Sequence, residues 1–349
     1  MHTNRLSPTP SWCDKEVDQP LPNDIVINID KGLVSVIVRR IAASEYLIIP
    51  KYRQSVQGSW ETPLLGPLER IVSLYAPRAV RKAMTYANTV WSPSYNTYIP
   101  IEHVSKHTNN IYICSGRKII NEQNITELDA YSNYKLSLIY NKLMNMRRLS
   151  LNSITACSWP TGSILMGSFR QFSDIDLVLN IDEPNCYKKI TNFIEEFGYR
   201  KDLETAVTNA YLLKEAKWRN IDPQIMRNAI KKWQRLRINN TEVSISIVSI
   251  YRRLSPETRI FKISDPSEIV TKTLYVEPYQ QSIGDYPVIV QSNEEYIVSF
   301  DGIFAPLLFE GGKVFVRGIR GRISYGTDSI EAIIIGISEQ VTYAYTINS

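Results

Sequence analysis

The chain has 349 residues, 44% of them hydrophobic and 21% charged, with a formal charge of +5. That length accommodates two or three domains, the composition excludes a disordered or fibrous chain, and the small positive excess leans towards an anionic partner. No apolar run reaches the roughly 18 residues a spanning helix needs and no basic-then-apolar leader opens the chain, so the expectation is a soluble cytoplasmic protein without a membrane partner.

Residues 1–23 carry Pro8, Pro10, Pro20 and Pro22 among polar residues without periodicity, which reads as a flexible or extended arm. From Asp24 the pattern turns to strands. Ile25–Ile29 and Leu33–Val38 flank the Asp30-Lys31-Gly32 turn as a hairpin, and Tyr46–Ile49 and Ile111–Cys114 are further strands. Leu68 to Tyr86 reads as a helix interrupted by Pro77, so residues 24–115 form a β-rich module. His103 and His107, four apart, would share a helix face, but after Pro100 they read as a polar loop, and no metal is assigned there. The cysteines, Cys13, Cys114, Cys157 and Cys186, lie far apart without metal-type spacing, which argues against a zinc site and against a disulfide framework.

Ile125 to Met146 is predicted as an amphipathic helix, with Arg147 and Arg148 favouring its C-terminal end. Strands over 154–161 and 174–181 follow, then a helix from Pro184 or Asn185 to Gly198 with Ile190, Phe193, Ile194 and Phe197 on one face. Between the two strands runs Thr161-Gly162-Ser163-Ile164-Leu165-Met166-Gly167, leading to Ser173-Asp174-Ile175-Asp176. Residues i and i+2 of a strand face the same way, so Asp174 and Asp176 would project side by side. Two adjacent carboxylates repel unless a cation joins them, and hard oxygen ligands suit Mg²⁺. Gly162 and Ser163 would open a helix whose free N–H groups hold an anion such as a triphosphate. A phosphate cradle beside paired carboxylates is the equipment of metal-assisted phosphoryl or nucleotidyl transfer.

This run resembles the signature of the nucleotidyltransferase superfamily, which includes DNA polymerase beta, CCA-adding enzymes and prokaryotic predicted nucleotidyltransferases. The signature reads Gly-Ser, a second glycine four residues after the serine, then Asp-x-Asp; Gly162-Ser163, Gly167 and Asp174-Ile175-Asp176 fall on those positions. A second register begins at Gly167-Ser168, closer to Asp174. The resemblance implies an α+β protein: a nucleotidyltransferase-like α/β core over 116–253, flanked by the β-rich module before it and a β-rich domain over 254–349. It implies two Mg²⁺ ions on Asp174 and Asp176, a nucleoside triphosphate whose phosphates rest on Gly162, Ser163, Gly167 and Ser168, and an acceptor hydroxyl, with RNA and DNA ends among the options. The superfamily's third carboxylate is assigned to Glu242 at the entry of Thr241–Val248, where the family more often has an aspartate inside the strand and this chain has serine. The alternative is a nucleic-acid-binding or scaffold protein whose core has lost catalysis.

Asp222-Pro223 starts a further helix with an apolar stripe of Met226, Ala229, Ile230 and Trp233. Arg227, Lys231 and Arg235, four apart, would form a basic stripe that meets a triphosphate or a nucleic-acid backbone, or is simply a solvated face. Beyond Pro256 the pattern is again β. Tyr296–Phe300, Asp301-Gly302 and Ile303–Ala305 read as a hairpin, and strands over 313–317, 330–337 and 341–347 complete a small barrel or sandwich with Arg317, Arg320 and Arg322 near a turn.

Overall fold

Alternating apolar residues between Cys13 and Cys114 build the first of three sheets in a computed structural model that describes residues 9–15, 17, 19–72, 75–105, 110–119, 157–168, 173–199, 203–238, 241–264, 268–337 and 340–347. The helix expected over Ile125–Met146 lies outside these residues. The first sheet has nine strands: β1 (Cys13–Asp14), β2 (Ile25–Asn28), β3 (Leu33–Arg40), β4 (Glu45–Gln54), β5 (Trp60–Thr62), β6 (Gly66–Arg70), β7 (Asn88–Ser92), β8 (Thr97–His103) and β9 (Ile111–Cys114). β4 is its branching strand, pairing with β3, β6 and β8. The helix expected over Leu68–Tyr86 is confined to Pro77–Ala83, because Pro77 is tolerated only in a first turn and Gly66–Arg70 is strand. Glu102 is buried and ion-paired to Lys31 at 3.0 Å, and His103 ends a strand rather than riding a helix.

The second sheet has the order β10 (Ser158–Thr161), β11 (Ile175–Asn180), β14 (Thr241–Val248), β13 (Arg235–Ile238), β12 (Glu204–Thr205). β10 runs antiparallel to β11, while β11 and β14 are parallel. The helix Pro184–Glu196 follows β11, starts on proline, and buries Cys186, Ile190, Phe193 and Ile194. The third sheet is organised by the long strand β19 (Gly312–Tyr325), which pairs antiparallel with β15 (Arg259–Ile263), β16 (Ile269–Val276), β20 (Asp328–Ile335) and β21 (Tyr343–Thr346). β17 (Val288–Gln291) and β18 (Tyr296–Ser299) complete it, β18 lying parallel to β20. The hairpin expected across Asp301-Gly302 is not formed. Pro306 sits in the first turn of a helix over Ala305–Glu310, and the Asp301 carboxylate accepts from the Ile303 N–H to start the preceding turn.

The architecture is thus α+β with several sheets, and one hydrophobic core draws on all three, through Ile27, Leu177, Val243 and Val316 among others. Arg39, fully buried on β3, ties the first sheet to the third through Glu257 at 2.7 Å and Asp285 at 3.2 Å. Such a buried guanidinium needs every one of its partners. Among the described residues no helix is long and apolar enough to cross a membrane.

Two expectations about the N-terminal stretch and the cysteines are corrected. Residues 9–15 do not form a free arm: Trp12 is buried and its indole N–H donates to the Leu165 carbonyl at 2.9 Å. Cys13 and Cys114 face each other across β1 and β9 and are disulfide-bonded, and Cys157 is bonded to Cys186. Separation along the chain had suggested isolated thiols, but strand pairing brings residues that are distant in sequence opposite one another.

The segment leading into β2 fixes the end of β10. The Thr161 hydroxyl donates to the Asn23 carbonyl at 2.5 Å, and Asn23 is held in the left-handed region. Asp24 beside it is buried, and its Oδ2 accepts from the Leu21 N–H at 2.8 Å. Burial pushes the Asp24 carboxyl up to about 7, against the hydrogen bonds from Leu21 and Ser115 and the charge of Arg117. A raised carboxyl pKa stabilises the fold below the unfolded value near 4 and loses that contribution as pH rises through about 7. Asp24→Asn is therefore expected to raise the melting temperature at about pH 8, by up to roughly 4 kcal/mol in stability, and to change little at about pH 3. Thermal melts at the two pH values check this; equal effects at both would contradict it.

Candidate functional site

The strand registers align four residues across the second sheet. Thr161 pairs with Asp176, Asp176 with Ser244, and Ser244 with Arg235, on β10, β11, β14 and β13 in turn. Directly opposed residues share a face, so this row presents its side chains together. Asp174, two residues before Asp176, joins the same face. All four neighbouring groups, Thr161, Asp176, Ser244 and Arg235, line one half-open cavity of about 1310 Å³ between the three sheets, and Asp174, Gly162 and Ser163 line it with them.

Gly162 follows Thr161 and turns the chain over Asp176. It has φ +72°, and a Cβ built there would lie 2.1 Å from Asp176 Oδ2. Only glycine meets both demands, a left-handed backbone and contact with a carboxylate. Residues 162–167 then form successive turns, not the helix expected to open at Gly162. The Ser168 N–H closes them by donating to the Ser163 carbonyl at 3.1 Å, and Gly167 adopts φ +66°. Apolar Ile164, Leu165 and Met166 are buried, which draws the segment into the core and uses its middle for packing. Gly162 and Ser163 reach the cavity; Gly167 and Ser168 are not on its wall. Of the two Gly-Ser pairs, only Gly162-Ser163 therefore lies on the cavity wall.

The carboxylates differ in setting. Partial burial pushes Asp176 up to about 6, with Asp174 adding to the rise, while Lys51, Arg70 and Arg235 oppose it. Asp174 Oδ2 accepts from the Ser244 hydroxyl at 3.0 Å and lies 3.2 Å from Arg235 Nη2. Glu242 lies on the same face of β14 but is directed at arginines: its Oε2 is 2.7 Å from Arg235 Nη2, and its Oε1 is 3.6 Å from Arg237.

The basic stripe expected along one helix is not formed. The helix Pro223–Ala229 ends before Ile230, whose backbone is extended, and Arg235–Ile238 is strand with Leu236 and Ile238 buried in alternation. Arg227 therefore hydrogen-bonds Asn209 at 3.1 Å on the surface, and Lys231 is ion-paired to Glu310 at 2.7 Å. Only Arg235 of the three faces the cavity. It packs over the Tyr211 ring, 4.8 Å from the centroid. Tyr211 belongs to the helix Asn209–Arg219, which is anchored by Arg219: its guanidinium forks onto Asp301 at 2.6 and 2.9 Å and also reaches Glu215.

No protein-family model, no curated protein and no solved structure matches this chain.

The first sheet contributes a residue that the sequence reading missed. On β4, alternation puts Leu47, Ile49 and Lys51 on the cavity face. Lys51 is only 4% exposed, lies over the rings of Tyr75 at 5.2 Å and Tyr52 at 5.9 Å, and has no carboxylate within ion-pair distance among the described residues. Arg70 on β6 lines the same wall beside Trp60 and Tyr52. A buried ammonium without a hydrogen-bonded anion is costly, so a ligand that brings one would be favoured here.

The donor set decides which metal could be held. Among the described residues no group of three or more His, Cys, Asp or Glu is placed for a metal ion. Asp174 and Asp176 alone face the cavity from adjacent same-face positions. Two carboxylates suit an ion that takes its remaining ligands from phosphate oxygens and water, as Mg²⁺ does with nucleotide substrates. A site for one such ion therefore fits these residues.

Proposed function

We propose that the chain is a Mg²⁺-dependent nucleotidyltransferase that moves a nucleoside monophosphate from a nucleoside triphosphate to an acceptor hydroxyl. One observation carries this reading: the Gly162 turn lies against Asp176 so closely that a side chain is excluded, which joins the Gly-Ser and Asp-x-Asp elements into one wall of one cavity. The order β10–β11–β14, antiparallel then parallel, is compatible with the superfamily's α/β core.

Asp174 and Asp176 would hold a Mg²⁺ ion that arrives with the triphosphate, and that ion would stabilise charge on the reacting phosphate oxygens. Ser163, on the cavity wall with the two carboxylates, would meet the β and γ phosphates. The Lys51 ammonium and the Arg70 guanidinium counter the charge that gathers on departing pyrophosphate, in a cavity where low dielectric strengthens each contact. The acceptor oxygen attacks the α-phosphorus in line, its proton passes to water, and the bond to pyrophosphate breaks. A nucleic-acid end remains one acceptor class. Of the basic stripe expected to recognise it only Arg235 faces the cavity, and Arg320 and Arg322 of the C-terminal sheet are paired to Glu268 and Glu331. The two disulfides favour an oxidising compartment, or the cytosol of a hyperthermophile, over an ordinary cytoplasm.

Lys51→Met tests the reading at a residue outside the sequence motif. A charge-assisted contact contributes about 1.5–3 kcal/mol, so the dissociation constant for a non-hydrolysable Mg²⁺–nucleoside triphosphate should rise roughly 10- to 100-fold. Unchanged nucleotide affinity in a folded Lys51→Met protein would remove Lys51 from the site.

A further inference from the structure

Resting on the nucleotidyl-transfer reading, we propose that Arg235 is a fixed cation standing where a second metal ion would otherwise bind, so that this site works with one divalent ion. The arginine is held on every side that matters. Its Nη2 lies 2.7 Å from Glu242 Oε2 and 3.2 Å from Asp174 Oδ2, and its Nε lies 3.1 Å from the same Glu242 oxygen. Its Nη1 donates to the Ser244 hydroxyl at 3.2 Å, and that hydroxyl donates onward to Asp174 Oδ2 at 3.0 Å. The Tyr211 ring supports the guanidinium plane at 4.8 Å.

The register explains how this arose in the sheet. Ser244 occupies the position on β14 level with Asp176, and Arg235 the position on β13 level with Ser244. Where a carboxylate at the Ser244 position could complete a second ion's ligand set, a hydroxyl is found instead, with a guanidinium directly beside it. A hydroxyl cannot neutralise a second divalent cation, whereas it serves well as a relay between a guanidinium and a carboxylate. Glu242, the other acidic group on that face, has both oxygens turned to Arg235 and Arg237. That leaves Asp174 and Asp176, with two negative charges between them, matched to one divalent ion. An arginine is permanently charged and presents its donors in a rigid fork, so it bridges carboxylates from a position the chain itself fixes. Arg235 acts on the reaction through Asp174, as a positioning residue.

Counting bound ions tests this independently of turnover. The full chain is titrated with Mn²⁺ in the presence of α,β-methylene-ATP and its CTP, GTP and UTP counterparts, and protein-bound Mn²⁺ is separated from free and nucleotide-bound Mn²⁺ by electron paramagnetic resonance with equilibrium dialysis. The expected result is one Mn²⁺ per chain with the best nucleotide. Arg235→Ala should raise the count to two, because Asp174, Glu242 and the space between them become available. Arg235→Lys should keep it at one. Glu242→Gln, which leaves the arginine in place, should also keep it at one and so stands independent of whether Arg235→Ala folds. Two ions in the wild-type protein, or an ion lost in Glu242→Gln, would overturn the inference and leave nucleotidyl transfer standing. No bound ion with any nucleotide would overturn both.

Discussion

The double substitution Asp174→Asn with Asp176→Asn is expected to lower nucleotidyl transfer by at least ~10³-fold while leaving the protein folded. Both carboxylates face the cavity, and removing them takes away the pair that the proposed divalent ion would bind. The effect on stability is a balance of opposing changes. Burial holds Asp176 well above its ordinary carboxyl range, so at neutral pH its charge opposes folding, and asparagine relieves that cost. Against this, Lys51 loses a nearby anion and Arg235 loses one of its two carboxylates. The two directions leave a net shift within about 1 kcal/mol, a size typical of partly exposed sites. Activity and a thermal melt on the same preparation check both halves. A folded double variant that retains full transfer would end the assignment of these residues.

Gly162→Ala is expected to damage the protein in two ways at once. The left-handed backbone at φ +72° costs an alanine about 1–2 kcal/mol, and its Cβ would sit 2.1 Å from Asp176 Oδ2, so the carboxylate must move. Together these should destabilise the fold by roughly 2–4 kcal/mol. A displacement of about 1 Å at a reacting centre costs on the order of 100-fold in rate, so transfer should fall by at least that much even under conditions where the variant is fully folded. Gly167→Ala is the matched control. It shares a positive φ of +66°, but its nearest neighbour is Pro63 Cδ at 3.3 Å, far from either carboxylate. The backbone penalty alone should appear there, about 1–2 kcal/mol, with transfer retained. Equal losses of transfer at both glycines would mean that the turn matters only as backbone, and that the contact with Asp176 carries no function.

The parts of the site that could be read in the sequence were those whose chemistry is local. Asp174 and Asp176 stand two apart at the start of an apolar run, and the strand Ile175–Asn180 turns both to one face. Glycine at 162 was legible as the end of a strand but read as opening a helix, and its contact with Asp176, which depends on β10 pairing antiparallel to β11, was not legible. Serine at 244 was visible as a departure from an acidic strand, but what stands beside it was not. Arg227, Lys231 and Arg235 recur at a helical interval, and that interval masked the competing two-residue alternation of Leu236 and Ile238, which the neighbouring strand β14 rewards with pairing. The hairpin signal at Asp301-Gly302 failed in a similar way. Asp301 is instead the acceptor of a forked pair with Arg219, a tertiary demand that outweighs a local turn preference. Lys51 was illegible for a different reason: one lysine on a strand has no local signature, and its meaning comes from a sheet that folds across from another part of the chain. The cysteines were misread because spacing along a chain says little about proximity once strands pair.

The central claim is that a nucleoside triphosphate reacts at Asp174 and Asp176. The most direct measurement incubates the protein with each of the four α-³²P-labelled nucleoside triphosphates, Mg²⁺ and a mixed acceptor pool of RNA, DNA, protein and small hydroxyl compounds, and follows pyrophosphate and labelled product together. The account predicts that for at least one nucleotide pyrophosphate appears in step with a product that keeps the α-label, that chelating Mg²⁺ stops both, and that the Asp174→Asn, Asp176→Asn protein yields neither. A wild-type protein that binds none of the four nucleotides and releases pyrophosphate no faster than the double variant would contradict it.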